Sequence, residues 1–375
     1  MEKLKNIAPG VALCFLIILL GSFLTEMLGR FLIAIHILPE GSKSPVSAVF
    51  IAILIGIIIR HTIRLPAFFK DGISFSLKRI LRVGIVLLGL RLSLIEALKL
   101  GAIGIPLIVA CIASGLFVTL YFTKKLQQSR RLGTLIACGT GICGVTAIMA
   151  TSPVIKAKDD EISYAVANVT MFGLIGMLFY PYLSNLFFAD DPVKAGLFLG
   201  TAIHDTAQVT GAALMYDQLF DEGKVVDVAT VTKLTRNLFI IAVIPFVSYL
   251  FFSRAQKEGK HAPQQPKWYT FIPLFVIGFL FMSFIRTLGD MTIVSSDAAF
   301  GFIEPLLWQA IHENVSTFGS TYLLGTAMAA VGLSTNFKAF KGIGMKPFYI
   351  GFIAAITIGL VSFLLISLFG SWIDI

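Results

Sequence analysis

Apolar stretches of about 20 residues recur along the whole chain, separated by shorter polar connections. A stretch of that length crosses a hydrocarbon layer of about 30 Å as a helix. The pattern predicts eleven spans, at about 11–37, 46–60, 79–93, 101–122, 133–154, 163–187, 193–215, 228–252, 268–286, 306–333 and 347–369. The tenth is long and polar in its first half, which also fits a surface helix followed by a short span. The expected fold class is an all-α polytopic membrane protein. Composition agrees, because 57% of the 375 residues are hydrophobic and 14% are charged, against about 25% charged in soluble domains. The first stretch is too long for the apolar region of a cleaved signal. Cys14, Cys111, Cys138 and Cys143 all lie in apolar stretches, which predicts buried thiols rather than disulfides.

The connections alternate in charge. Arg60, Arg64, Lys70, Lys78, Arg79 and Arg82 crowd the second connection, Lys124, Lys125, Arg130 and Arg131 the fourth. Arg254, Lys257, Lys260 and Lys267, then Lys338, Lys341 and Lys346, make two more basic connections on the same side. The opposite side carries Asp159, Asp160 and Glu161, then Asp217, Asp221, Glu222 and Asp227, then Asp290, Asp297 and Glu304. Basic residues are retained in the cytoplasm, so the N-terminus is expected inside and the C-terminus outside. Asp190 and Asp191 break the pattern in one short loop. Topology thus accounts for the net charge of +9, and no nucleic-acid partner is expected.

An internal repeat is legible at low resolution. Spans 2 and 7 open with Ser44-Pro45-Val46 and Asp191-Pro192-Val193; span 3 carries Arg79 and Arg82, span 8 Lys233 and Arg236. Spans 4 and 9 share Ile105-Pro106-Leu107 and Ile272-Pro273-Leu274, and spans 5 and 10 share Gly139-Thr140 and Gly325-Thr326. This divides the chain into an N-terminal helix at 1–44, a first repeat at 45–188 and a second at 189–375. Five spans per repeat is an odd number, so the copies enter the membrane in opposite directions. Such inverted pairs support alternating access around a midplane site. A rival pairing matches Leu92-Ser93, Gly101 and Pro106 with Leu333-Ser334, Gly342 and Pro347. It ranks lower because it leaves three central spans unmatched.

Polar groups within spans mark function by default, because charge at the bilayer centre costs about 2.5 kcal/mol or more. Cys138-Gly139-Thr140-Gly141-Ile142-Cys143-Gly144 puts three glycines within six residues and predicts a broken helix in span 5. Unwound backbone there, with the positive end of the following half-helix, favours an anion. Close packing of helices through small residues is the competing account. Span 10 offers Asn314, Ser316, Thr317, Gly319 and Ser320 as a second break. Span 7 carries Thr201, His204, Asp205 and Gln208; Thr201, Asp205 and Gln208 are spaced to share a helical stripe, and His204 titrates near neutral pH when unperturbed. Lys233 and Arg236 are the expected partners of Asp205, with Asn237 a polar neighbour. Arg91 is expected to snorkel to a surface, and Glu26 and Arg30 to pair one turn apart. His312 and Glu313 are a poor metal pair, and no metal is expected. Lys233 and Arg236 outweigh Asp205, which favours an anionic substrate over a cation.

These residues resemble the YeiH-type sulfate exporter family. The resemblance rests on Gly84-Ile85-Val86-Leu87-Leu88-Gly89-Leu90-Arg91-Leu92, the Cys138–Gly144 run, Gly200-Thr201-Ala202-Ile203-His204-Asp205-Thr206, and Lys233-Leu234-Thr235-Arg236. It covers essentially the whole chain. That family is similar to the bile-acid symporters and cation–proton antiporters. The resemblance implies a bacterial inner-membrane carrier that exports sulfate or a related sulfonate. It also implies a panel of spans 2, 3, 7 and 8, and a core of spans 4, 5, 6, 9, 10 and 11 with crossed broken helices. The expected substrate site comprises Gly139, Thr140, Gly141, Cys143, Gly144, Lys233, Arg236, Asn237, Ser316 and Ser320. Thr201, His204, Asp205 and Gln208 would couple transport to H⁺ or Na⁺. No cofactor and no enzymatic activity are expected, since the chain shows neither a nucleophile elbow nor a cofactor domain. The lipid bilayer is the expected environment, and a homodimer is allowed. A cation–proton antiporter using Asp205 is the alternative.

Overall fold

The structure is a computed structural model and describes residues 2–39, 41–256, 273–335 and 344–370. The basic connections carrying Lys257, Lys260, Lys267, Lys338 and Lys341 lie outside the described residues. Among those residues the chain is helical, with one isolated bridge between Ala299 and Ile303. Five helices are long and apolar enough to cross a membrane singly: Asn6–Ala34, Leu94–Lys125, Asp159–Phe188, Leu274–Ser296 and Lys346–Phe369. A sixth crossing is available if Lys224–Leu238 and Ile240–Phe251, bent by 40° at their junction, act as one span. The other predicted spans resolve into shorter helices. The four cysteines are free and buried, as their apolar settings predict.

The chain forms two compact units, each drawn from separate stretches. Unit 1 comprises residues 1–99, 210–227 and 274–335. It contains α1 (Glu2–Ala34), α2 (Ala48–Thr62), α3 (Lys70–Phe75) and α4 (Leu81–Leu88). Helix α2 starts where the Ser47 hydroxyl accepts from the Phe50 N–H at 3.1 Å, satisfying one of the open donors of a helix start. A π turn at Ser76–Ile80 joins α3 to α4. Helix α1 lies against α3 so closely that a Cβ on Gly72 would come within 2.6 Å of Gly10 Cα; only glycine admits that approach. Arg91 does not snorkel: its Nε is 2.8 Å from Asp227, and its Nη2 donates to Gly223 O at 3.0 Å. Glu26 and Arg30 pair as expected.

Unit 2 comprises residues 100–209, 228–273 and 336–375. Most of α5 (Leu94–Lys125) belongs here, followed by α6 (Arg130–Cys138), α7 (Val145–Thr151), α8 (Asp159–Phe188) and α9 (Pro192–Ala202). Helices α10 (Thr206–Phe220) and α11 (Lys224–Leu238) pass from one unit to the other; α12 (Ile240–Gln256) follows. Helices α13 (Leu274–Ser296), α14 (Pro305–Thr317) and α15 (Gly325–Ser334) complete unit 1, and α16 (Lys346–Phe369) completes unit 2. The compact units therefore place spans 7 and 8 with spans 4, 5, 6 and 11, and spans 9 and 10 with spans 1, 2 and 3, unlike the panel and core that the family resemblance implies.

Residues 133–154 break where their glycines predict, but they turn back instead of continuing as one span. Ile148 and Ile155, after the break, pack in one cluster with Leu132 and Leu135, before it. Ser129, which caps α6, donates to Glu161 in the first turn of α8. Helices α6 and α7 thus make a hairpin that begins and ends beside the start of α8. The start of α9 lies at the other end of α8: Ser184 donates to Ala195 O at 3.3 Å, and Tyr180 packs on Phe198 with ring centres 5.2 Å apart. Asp191 caps α9 by accepting from Val193 N at 3.1 Å and Lys194 N at 3.0 Å. Partial burial alone would raise its pKa, but the Lys194 ammonium and these N–H groups hold it below the ordinary value.

Candidate functional site

Helices α6 and α9 approach the middle of α8 from opposite ends, with their C-termini leading. Gly139, at the end of α6, meets Val169, and Ile203, past the end of α9, meets Gly176. Each leading end is a helix C-terminus with open carbonyls and about half a negative charge. Two such ends buried together require cations and donors, and α11 supplies both.

Arg236 and Lys233, at most 1% exposed, lie one turn apart on α11. Arg236 donates from Nη2 to Thr140 O at 2.8 Å and from Nη1 to Thr201 O at 2.6 Å. It also donates from Nε to Gly141 O at 3.0 Å and from Nη1 to Ile203 O at 3.2 Å. Lys233 Nζ donates to Ile142 O at 3.0 Å, to Ile203 O at 3.1 Å and to His204 O. The carbonyl owners follow a pattern. Gly139-Thr140-Gly141-Ile142 in one half-helix matches Gly200-Thr201-Ala202-Ile203 in the other. Arg236 joins the two matched threonines, and Lys233 joins the two matched isoleucines.

The outgoing ends are compensated too. Gly144 stands at φ 61°, ψ −127°, a conformation open essentially to glycine alone, and turns the chain into α7. Asp205 fills the gap between α9 and α10. Its Oδ1 accepts the Ala207 N–H at 3.0 Å, and its carboxylate also takes the Val145 N–H. One carboxylate therefore serves the N-terminal turns of both α10 and α7, where negative charge is favoured. A Cβ on Gly144 would collide with it. The four half-helix ends cancel pairwise, two negative against two positive. By formal charge, Lys233, Arg236 and Asp205 then leave the cluster at +1.

Several polar atoms here are buried without a hydrogen-bond partner among the described residues. They are His204 Nδ1, Gln208 Oε1 and Asn237 Oδ1. Asn237 Nδ2 donates to Thr206 Oγ1 at 3.1 Å, and Gln208 Nε2 to Thr170 O at 2.8 Å. Thr201 Oγ1 meets Ser362 Oγ at 2.7 Å. The donors are nearly spent: all three of Lys233 are used, and one of Arg236's five remains.

The sequence-predicted residues divide accordingly. Gly139, Thr140, Gly141, Cys143, Gly144, Thr201, His204, Asp205, Gln208, Lys233, Arg236 and Asn237 all lie in unit 2 around this crossing. Thr201, Asp205 and Gln208 do not share one helical stripe, because the helix ends at Ala202 and resumes at Thr206. Asp205 lies in that gap rather than at a helix centre, and backbone carbonyls rather than Asp205 take the bonds of Lys233 and Arg236. Ser316 and Ser320 belong to unit 1 and bond within their own helical segment, to Glu313 O at 3.0 Å and Thr317 O at 3.2 Å. There α14 passes through a π turn at Phe318–Leu324 into α15 without interruption. The break paired with Gly139–Gly144 is the one at Ile203–Asp205. Its signal was the repeated Gly-Thr-x-Ile. Among the described residues no cluster of metal-ligating side chains occurs.

Residues 9–351 match the family model described as Conserved hypothetical protein 698. A UPF0324 membrane protein of Streptococcus agalactiae serotype V is 32% identical over 98% of this chain and 99% of its own length. One from Bacillus cereus is 33% identical over 85% of this chain and 86% of its own. A third, from Fusobacterium nucleatum, is 31% identical over 96% and 97%. The chain belongs to this family of membrane proteins.

Proposed function

We propose that the chain is a secondary transporter for a small anion. The observation that carries the reading is the crossing in unit 2. Two half-helices entering from opposite ends, tied by Lys233 and Arg236, leave one uncompensated positive charge in a membrane protein. A bound monoanion such as a sulfonate neutralises that charge, whereas sulfate, a dianion, exceeds it by one. Charged groups at membrane depth are expensive and mark transport pathways, and paired broken helices of opposite direction are the common ground for alternating access. The remaining Arg236 N–H and the first turns of α7 and α10 are the donors available to an oxyanion.

In this reading α6–α7 and α9–α10 are the inverted elements, and the five-plus-five division at 45–188 and 189–375 describes descent rather than compactness. The α6–α7 hairpin brings the basic connection before α6 to the same end as Asp159, Asp160 and Glu161, so charge does not alternate there; with both pairs turning back, the other connections still fit an N-terminus inside and a C-terminus outside. The YeiH-type resemblance favours sulfate or a sulfonate, exported across a bacterial inner membrane. Cation–proton antiport is the second reading, and a specific observation favours it. The unspent Asn237 Oδ1 and Gln208 Oε1 are acceptors, and His204 Nδ1 is a third in the tautomer protonated at Nε2; such atoms suit a hard cation or a proton.

Purified protein in liposomes separates the two. Labelled sulfate and sulfonates are exchanged against internal unlabelled anion, while an enclosed pH dye reports proton movement on addition of Na⁺. Anion exchange that Asp205→Asn slows and that needs no Na⁺ supports the anion carrier. Sodium-driven proton flux without any of these anions, lost in Asp205→Asn, replaces it with the antiporter.

A further inference from the structure

The crossing leaves unused a second feature, in unit 1, at the end of α1 where the chain begins. A cavity of about 300 Å³ is lined by Asn6, Ile7, Asp71, Ser74, Lys78 and Arg79, with Phe75 beside them. A second of about 310 Å³ is almost wholly apolar, between Val11, Phe15 and Ile80 on one side and Phe318, Tyr322 and Leu323 on the other, with Thr326 at its edge. The two follow one another along the same elements. Ile7 lines the first; Val11 and Phe15, one and two turns later on the same face of α1, line the second. Arg79 lines the first and its neighbour Ile80 the second. The stripe from Ile7 to Phe15 is about 12 Å long at 1.5 Å per residue.

Each part has its own physical signature. Lys78 and Arg79 are both exposed, and no ion pair involves either among the described residues. They are carried side by side on the π turn of Ser76–Ile80. Against Asp71 they leave the polar cavity at a net +1, with the Ser74 hydroxyl beside them. The apolar groove is walled by rings. Tyr322 stands 6.3 Å from Phe15 and 5.8 Å from Phe318, centre to centre, and the three are 44%, 38% and 51% exposed. The close contact of Gly10 with Gly72 fixes α1 against α3 and so holds the two cavities in register.

A cationic pocket followed along α1 by an apolar groove matches the shape of an amphiphile. We propose that this site binds one phospholipid with an anionic headgroup: its phosphate on Lys78 and Arg79, and one acyl chain along Val11, Phe15, Ile80, Phe318 and Tyr322. The surplus positive charge selects an anionic lipid over a zwitterionic one. The exposed aromatic edges then face a bound chain instead of exchanging bulk lipid.

Native mass spectrometry of the delipidated full-length protein titrated with dioleoylphosphatidylglycerol tests this. One tightly retained adduct is expected. Each cation at a membrane surface contributes about fivefold in affinity, so Lys78→Gln with Arg79→Gln should weaken binding about 30-fold. Val11→Trp keeps both cations but blocks the groove, and should lose the adduct as well. Thermal unfolding of each variant verifies that it is folded. Unchanged binding in the double variant overturns the proposal, as does equal binding of dioleoylphosphatidylcholine. Competition by inorganic phosphate as strong as by the lipid, with Val11→Trp silent, would make this a free-anion site and overturns it too.

Discussion

The turns at Gly139–Gly144 and at Phe318–Gly325 begin alike and end differently. Both are π turns that lead to a glycine, and both sit between two helices in polar, glycine-containing sequence. At the first, the terminal glycine swings to φ 61°, ψ −127°, and the helix stops. At the second, Gly325 stays at φ −56°, ψ −46°, and the helix continues. Glycine content does not separate them; the company does. The first turn has Lys233 and Arg236 to take its carbonyls and Asp205 to take an outgoing N–H. In the second, Ser316 and Ser320 spend their hydroxyls inside their own helical segment. A buried helix end is tolerable only where each open backbone group finds a partner, so the position of remote charged side chains decides which turn opens.

Substitutions can break this contrast. The largest effect is expected from Arg236→Ala, which strips donors from Thr140, Gly141, Thr201 and Ile203. Ile203 O keeps Lys233, so three acceptors are orphaned at about 1–3 kcal/mol each; the loss should reach about 3 kcal/mol or more, seen as a sharp fall in Tm of the detergent-solubilised protein. Arg236→Lys should recover only part of it. Gly144→Ala forces a side chain into a conformation costing about 1–3 kcal/mol and drives it into the Asp205 carboxylate; Tm should drop clearly. Ser320→Ala, at the uninterrupted turn, should stay within about 0.5 kcal/mol. If Ser320→Ala proved as damaging as Gly144→Ala, the contrast would be wrong.

An effect between those of Gly144→Ala and Ser320→Ala belongs to the start of α9. Asp191→Ala should cost about 1 kcal/mol through the lost cap, measured as a difference in Tm from the unsubstituted protein. The Asp191 pKa is depressed in the folded state, so its contribution is present above its unfolded pKa of about 3.9 and fades as pH falls through the folded one. The difference in Tm should therefore be full at pH 7 and shrink below about pH 4.

Much of this was legible in the chain itself. Hydropathy announces a membrane protein, and three glycines between Cys138 and Gly144 announce a break. Lys233 and Arg236 stand out because cations in apolar surroundings are costly. The second break was harder to see. It contains no glycine between Ala202 and Thr206, and its stability comes from side chains about 30 residues downstream. Span 10 looked the better partner because polarity and glycine are local signals, whereas Arg236 on Thr201 is a tertiary fact. The hairpin of α6 and α7 was hidden for a related reason. Residues 133–154 have the hydropathy of a span, and only packing of Ile148 and Ile155 beside Leu132 reveals that the chain turns back. Arg91 illustrates the limit on single charges, since snorkelling and pairing with Asp227 leave the same trace in sequence.

The bridging of both half-helices by α11 also constrains biosynthesis. The chain is made from its N-terminus, so Gly144 leaves the ribosome about 90 residues before Lys233. At about 5–20 residues per second that interval lasts roughly 5–18 s. For those seconds the end of α6 has none of the donors that later hold it, and the end of α9, made about 30 residues before Lys233, waits roughly 1.5–6 s. They must wait beside water, the insertion machinery or a chaperone. Arrival of one helical turn then satisfies seven hydrogen bonds together, which makes the synthesis of Lys233 to Arg236 the moment at which the crossing can lock.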